Sequence, residues 1–210
     1  GRVEQARFHS TVIRSKHRYA YEEAMAILDR EPQNKTEQML HHANRLAQKL
    51  RKARFRSGAL NLDVPEHKVF LDAKGRVSEV RRIENDISHQ LIEEFMLLAN
   101  ESVAKEIKRR RAKAVHRIHE EPDDEKLDNL RAQAALAGLR AGNLADQKQA
   151  GRFLASLAGH PLEDVFRIGY LRCMKRACYS THAVGHYGLA KQDYVHFTSP
   201  IRRYADLIVH

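Results

Sequence analysis

The 210-residue sequence has no tryptophan and only two cysteines, Cys173 and Cys178. Two thiols do not staple a small extracellular fold, and no secretory h-region is visible, so a reduced, cytoplasmic protein is expected. No apolar run approaches the roughly 20 residues that span a bilayer, so no membrane partner is expected either. Glycine is scarce, at 10 residues, and forms neither a Walker loop nor a dinucleotide-binding pattern; no nucleotide cofactor is expected. No serine–histidine–acid order stands out. The last shortage is of negative charge: 27 Asp and Glu face 37 Lys and Arg, a formal net charge of +10. That excess favours a polyanionic partner and says nothing about fold.

The length allows one sizeable core or two small ones. Residues 6–14 alternate as a strand, with Phe8, Ser10 and Val12 on one side. A helix is predicted over residues 19–28. Thr36 is placed to cap a second one reaching about residue 54, with Met39, Leu40, Ala43, Leu46, Ala47 and Leu50 as its stripe. Asp72 to Gly75 closes a short hairpin between residues 69–71 and 76–80. The strongest helical pattern covers 85–107, followed by the basic run Lys108 to Lys113. A short strand over 115–119, helices over 124–140 and 147–157, and another from Pro161 complete the middle. The pattern is α+β: an antiparallel sheet with segregated helices.

At the end, Ser199 and Pro200 read as the cap and first position of a final helix, with Ile201, Tyr204, Leu207 and Ile208 as its buried side. Arg202 and Arg203 then fall in its first turn, where cations are unfavourable. An anion held by both guanidinium groups would resolve the conflict. A plain ion pair of Arg202 with Asp206, leaving Arg203 in water, would also resolve it. Both readings stand on the residues alone.

The wording HFTSPIRRYADLIVH (196–210) resembles the signature near the end of the catalytic domain of the RNase II/RNase R family of exoribonucleases. Residues 81–107 resemble that family's central helix, and the blocks 8–29 and 57–75 match in order and content. The resemblance covers nearly the whole chain. It implies an RNB-type catalytic domain, with an antiparallel sheet beside a helical bundle and an inward RNA channel. It implies 3′-to-5′ hydrolysis of single-stranded RNA to 5′-mononucleotides with Mg²⁺, by a protein expected to be monomeric.

Hard Mg²⁺ needs oxygen ligands, and the family places them in an aspartate-rich loop of the type Asp-Ile-Asp-Asp. No such cluster occurs here; Asp123 and Asp124 do not match it. The Mg²⁺ ligands are therefore expected mainly upstream, and no metal ligand is assigned. Gly1 is not a start residue, and His210 falls inside an apolar helical pattern without a cap. Residues 1–210 are thus expected to be a partial RNB domain, truncated at its C-terminus and not competent by itself.

By the same resemblance, Arg202 matches the arginine near the scissile phosphate and Arg203 is a weaker phosphate candidate. Tyr21 matches a tyrosine stacking near the 3′ end, against the plain reading of a half-buried core residue. Glu93 or Glu94 would contact terminal nucleotides, with Asn100 on a shared face. Tyr187 and His196 would belong to the channel wall. Cys173, Cys178, His182 and His186 have nominal zinc-ligand types, but three residues separate the pairs where a finger wants about twelve; structural roles are expected for them. The alternative to an enzyme is a non-catalytic RNA-binding module. A purely structural domain, the third reading, would have no RNA affinity.

Overall fold

The computed structural model describes residues 3–61, 66–83 and 85–210; part of the block 57–75 therefore lies outside the described residues. The chain divides into two compact units. One holds Arg7–Lys49 and Asp63–Glu94; the other holds Gly1–Ala6, Leu50–Leu62 and Phe95–His210.

In the smaller unit, α1 (Tyr21–Leu28) starts two residues later than predicted. Ala20 at its N-cap has no side chain to cap with. Instead the Glu23 carboxylate accepts the Ala20 N–H at 2.8 Å, satisfying one of the exposed donors of the first turn. The long helix α2 (Lys35–Arg56) begins here. Asn34, not Thr36, caps it: its Oδ1 accepts the Glu37 N–H at 2.9 Å. Glu37 is gripped by both Arg30 guanidinium nitrogens at 2.8 and 2.9 Å and by the Gln33 N–H. The Arg30 bond and that backbone donor hold its carboxyl at about 2. Met39 and Leu46, placed in the predicted stripe, are exposed, while Ala47 is buried.

Strands β1 (Glu66–Leu71) and β2 (Val77–Ile83) form the expected hairpin, with Val69 opposite Val80. Asp72 Oδ1 accepts the N–H groups of Lys74 and Arg76, and Gly75 takes φ 73°, the left-handed geometry that glycine enters without strain. Helix α3 (Ile87–Arg109) is capped by Asp86, whose Oδ1 accepts from Ser88 and His89.

The larger unit carries the main core. Strands β3 (His116–Ile118) and β4 (Cys178–Ser180) pair antiparallel, with Arg117 opposite Tyr179. Helices α4 (Asp124–Leu136) and α5 (Gln147–Ser156) are capped by Asp123 and Asp146. They pack with α6 (Glu163–Cys173) around Leu127, Leu130, Phe153, Leu157, Phe166 and Tyr170. A Cβ at Gly169 would sit 2.7 Å from Leu130 Cδ1, so a larger residue there would make the Leu130 side chain shift where α4 meets α6. A second small cluster joins Val103 and Ala104 of α3 to Val195. The last helix is α7 (Tyr204–Val209).

The α+β expectation holds, as two small antiparallel ladders among helices. The strand predicted over 6–14 does not form: residues 3–20 are irregular, with Val12 and Ile13 exposed. Alternation selects an extended backbone, but a strand exists only where a neighbour takes its hydrogen bonds. Among the described residues none does. No helix among them is long and apolar enough to cross a membrane.

Candidate nucleic-acid interface

In the larger unit the site is built outward from Asn100. This buried amide donates to the Tyr194 hydroxyl at 3.0 Å and accepts the Phe197 N–H at 3.0 Å. It pins the segment 194–197 to α3, a structural task. From the other side, the Arg117 N–H donates to the Tyr194 carbonyl. Val195, fully buried, fills the gap against α3.

Beyond Phe197 the chain turns sharply. The Ser199 carbonyl accepts from the N–H groups of Arg202 and Arg203. Asp206, 0% exposed, reaches back from α7, and its Oδ1 accepts both the Ser199 N–H at 2.8 Å and Arg203 Nη2 at 2.7 Å. Burial opposes ionisation of Asp206, but these two donors outweigh it and hold its carboxyl below the usual range. The turn is thus clamped at both ends.

This corrects three expectations. Ser199 and Pro200 do not start the helix; α7 begins at Tyr204, and Arg202 lies in the turn before it. Arg203, not Arg202, pairs with Asp206, so Arg203 is committed within the fold. The face of Ile201, Tyr204, Leu207 and Ile208 is exposed, to 98% and 77% for the first two, while Ala205 and Asp206 are buried. Both Asp206 bonds go to Oδ1. Arg202 is exposed, and among the described residues its guanidinium has no hydrogen bond or ion pair.

His196 sits beside this turn. Its Nδ1 is 2.7 Å from the Tyr179 hydroxyl, and its ring packs edge-on against Tyr194 and Tyr179. Burial, then the positive charges of Arg203, Arg117 and Arg202, bring it down to about 4, so the imidazole is neutral near pH 7. A neutral ring among guanidinium groups suits an arriving anion.

Tyr187 lies in a 3₁₀ turn, Tyr187–Leu189. Its hydroxyl donates to the Ala145 carbonyl and lies 3.2 Å from that of Tyr170. It is tied into the wall of the helical core. The basic run after α3 is partly spent on internal pairs: Lys108 with Asp193, Arg109 and Arg110 with Glu106.

In the smaller unit, Tyr21 stacks on His89 with ring centroids 3.9 Å apart and planes 15° from parallel. His89 Nδ1 lies 2.9 Å from Asp86 Oδ1. Burial disfavours the charged Asp86, but hydrogen bonds from Ser88 and His89 prevail and lower it to about 2. Tyr21 keeps much of its ring exposed. Sequence reasoning missed His89; its position three residues after the Asp86 cap was the available signal. On α3, Glu94 is buried and Glu93 half-buried, and both are engaged by neighbours.

Among the described residues, no three of His, Cys, Asp or Glu converge to hold a metal ion. They offer no cluster of carboxylates that would by itself hold magnesium. Cys173 is buried with its thiol donating to the Gly169 carbonyl, and Cys178 is exposed on β4.

Comparison with known proteins covers the whole chain. It matches the RNB domain over residues 1–210. It is 38% identical to ribonuclease R of Thermotoga maritima over 218 residues and 36% identical to ribonuclease R of Aquifex aeolicus over 219. Each alignment takes in 100% of this chain and 31% of the relative, so the chain spans about a third of the length of the curated relatives it matches. Mycoplasma genitalium RNase R, solved in complex with double-stranded RNA, superposes with a TM-score of 0.86 at 26% identity; the match covers 93% of this chain and 36% of that one. On this agreement of sequence and backbone, the chain belongs to the RNB domain family.

Proposed function

We propose that this chain is the substrate-holding part of a 3′-to-5′ exoribonuclease that hydrolyses single-stranded RNA to 5′-mononucleotides, working as a cytoplasmic monomer. The observation that carries the reading is Arg202: exposed, without a partner among the described residues, and projecting from a turn clamped by Asp206 within the stretch that resembles the family signature. A cation held this way can meet negative charge developing on a scissile phosphate without reorganising. Tyr21, backed by His89, offers a flat face to a terminal base; stacking tolerates any base, as a sequence-independent enzyme requires. Glu93 or Glu94 accepts from a ribose hydroxyl. Magnesium belongs with carboxylates outside the described residues.

The test is Arg202→Ala in the full protein. Turnover should fall by about 10²- to 10³-fold, with RNA affinity nearly unchanged. Equal loss of turnover and affinity would remove the transition-state role. RNA binding without cleavage by the wild-type protein would make it a binding module instead.

A further inference from the structure

The ladder β3–β4 carries a second cluster that the transition-state role of Arg202 leaves unused. Arg117 and Tyr179 face each other across the two strands, and the Arg117 guanidinium carbon lies 4.9 Å from the Tyr179 ring centroid. A ring face partly balances a cation and leaves its N–H donors available. Among the described residues the Arg117 side chain has no carboxylate partner and no hydrogen bond, unlike Arg30, Arg109, Arg110 and Arg203.

The Tyr179–His196 pair adds a donor whichever way its proton is arranged. If the Tyr179 O–H donates to Nδ1, the neutral imidazole carries its proton on Nε2. If Nδ1–H donates to the tyrosine oxygen, the O–H is left over. Either way the pair keeps one donor in addition to those of the guanidinium. Tyr179 is well exposed and Arg117 half-buried, so both can be reached from solvent. Asp206, the carboxylate that acts on His196, is buried and committed to Ser199 and Arg203.

We infer that Arg117, Tyr179 and His196 form a ground-state phosphate subsite, which grips a phosphodiester of the bound RNA other than the one cleaved. The inference rests on the RNA reading above. It separates two kinds of arginine: Arg202 acts on turnover, Arg117 on binding. A single phosphate contact to a single strand contributes about 0.7 to the slope of log affinity against log salt.

The experiment measures binding of a single-stranded oligoribonucleotide to the full protein across a salt series. In Arg117→Met the slope should fall by about 0.7 and low-salt affinity by roughly tenfold, with turnover at saturating RNA unchanged. Arg117→Lys, which keeps the charge, should restore the slope. An unchanged slope in a folded Arg117→Met protein overturns the subsite, as does a loss confined to turnover. Should Arg117→Met not fold, the wild-type protein supplies the test through single methylphosphonate substitutions along the RNA. Weakened binding at one linkage besides the scissile one supports the subsite; weakening at the scissile linkage alone overturns it. If the wild-type protein binds no RNA even at low salt, the RNA reading itself has failed. Wild-type binding with an indifferent Arg117 rejects this subsite alone.

Discussion

Removing the Asp206 carboxylate tests whether the signature turn is held as described. In Asp206→Ala the half-buried Ser199 N–H loses its acceptor, a cost of about 1–2 kcal/mol because water replaces part of it. Arg203 loses a charge-assisted bond, but 23% of its side chain is already in solvent. It can turn outward, so that loss falls at the low end of about 1.5–3 kcal/mol. Together the variant should be less stable by about 3 kcal/mol. Asp206→Asn keeps an oxygen for Ser199 and loses only the charge, so about 1–2 kcal/mol is expected.

The pH dependence sharpens the test. The folded pKa of Asp206 lies below its ordinary 3.8, so the carboxylate's contribution is complete above 3.8 and disappears as pH falls through the folded value. The gap between wild type and Asp206→Asn in urea unfolding should therefore be widest near neutrality and close in acid. Freed from the clamp, the turn bearing Arg202 also loses its single geometry, so turnover should drop in the same variant. A gap that stays constant with pH, or a loss below about 1 kcal/mol in Asp206→Ala, would refute the clamp.

Two histidines act in the adjoining, mildly acid range. Burial is the first cause in both His196, at about 4, and His186, at about 3; the unfolded chain takes up protons below 6.5 while the folded one does not. Stability should fall as pH drops from 6.5 toward 4, and His196→Gln should flatten that slope in urea midpoints; an unchanged slope would mean that His196 is not held neutral. For Tyr21, alanine should weaken binding of a single-stranded oligonucleotide by about tenfold or more, from a stacking worth of about 1–3 kcal/mol, while phenylalanine preserves it. Fluorescence anisotropy reads both, and equal affinity for wild type and Tyr21→Ala would remove the stacking role.

Where a structural decision is local, it was legible in the residues. Asp72 and Gly75 close the hairpin because a carboxylate can take two turn N–H groups and glycine accepts positive φ. The helices over 85–107 and 147–157 follow from periodic apolar residues near capping side chains, and their ends moved by only a few residues. The wording around Arg202 was enough to suggest the family that comparison then showed.

What residue order alone determined, then, was the kind of element at each point, the excess of positive charge and the family. Only the tertiary structure decided which residue partners which. Periodicity assigned Ile201, Tyr204, Leu207 and Ile208 to the inside, yet the buried residues of α7 are Ala205 and Asp206, whose carboxylate takes the Ser199 N–H and the Arg203 guanidinium. The stacking of Tyr21 on His89, the bonds from Asn100 to Tyr194 and Phe197 and the pairing of Arg117 with Tyr179 join residues that are 68, 94, 97 and 62 positions apart. Contacts across such distances depend on how the elements pack, which no local pattern of the chain encodes.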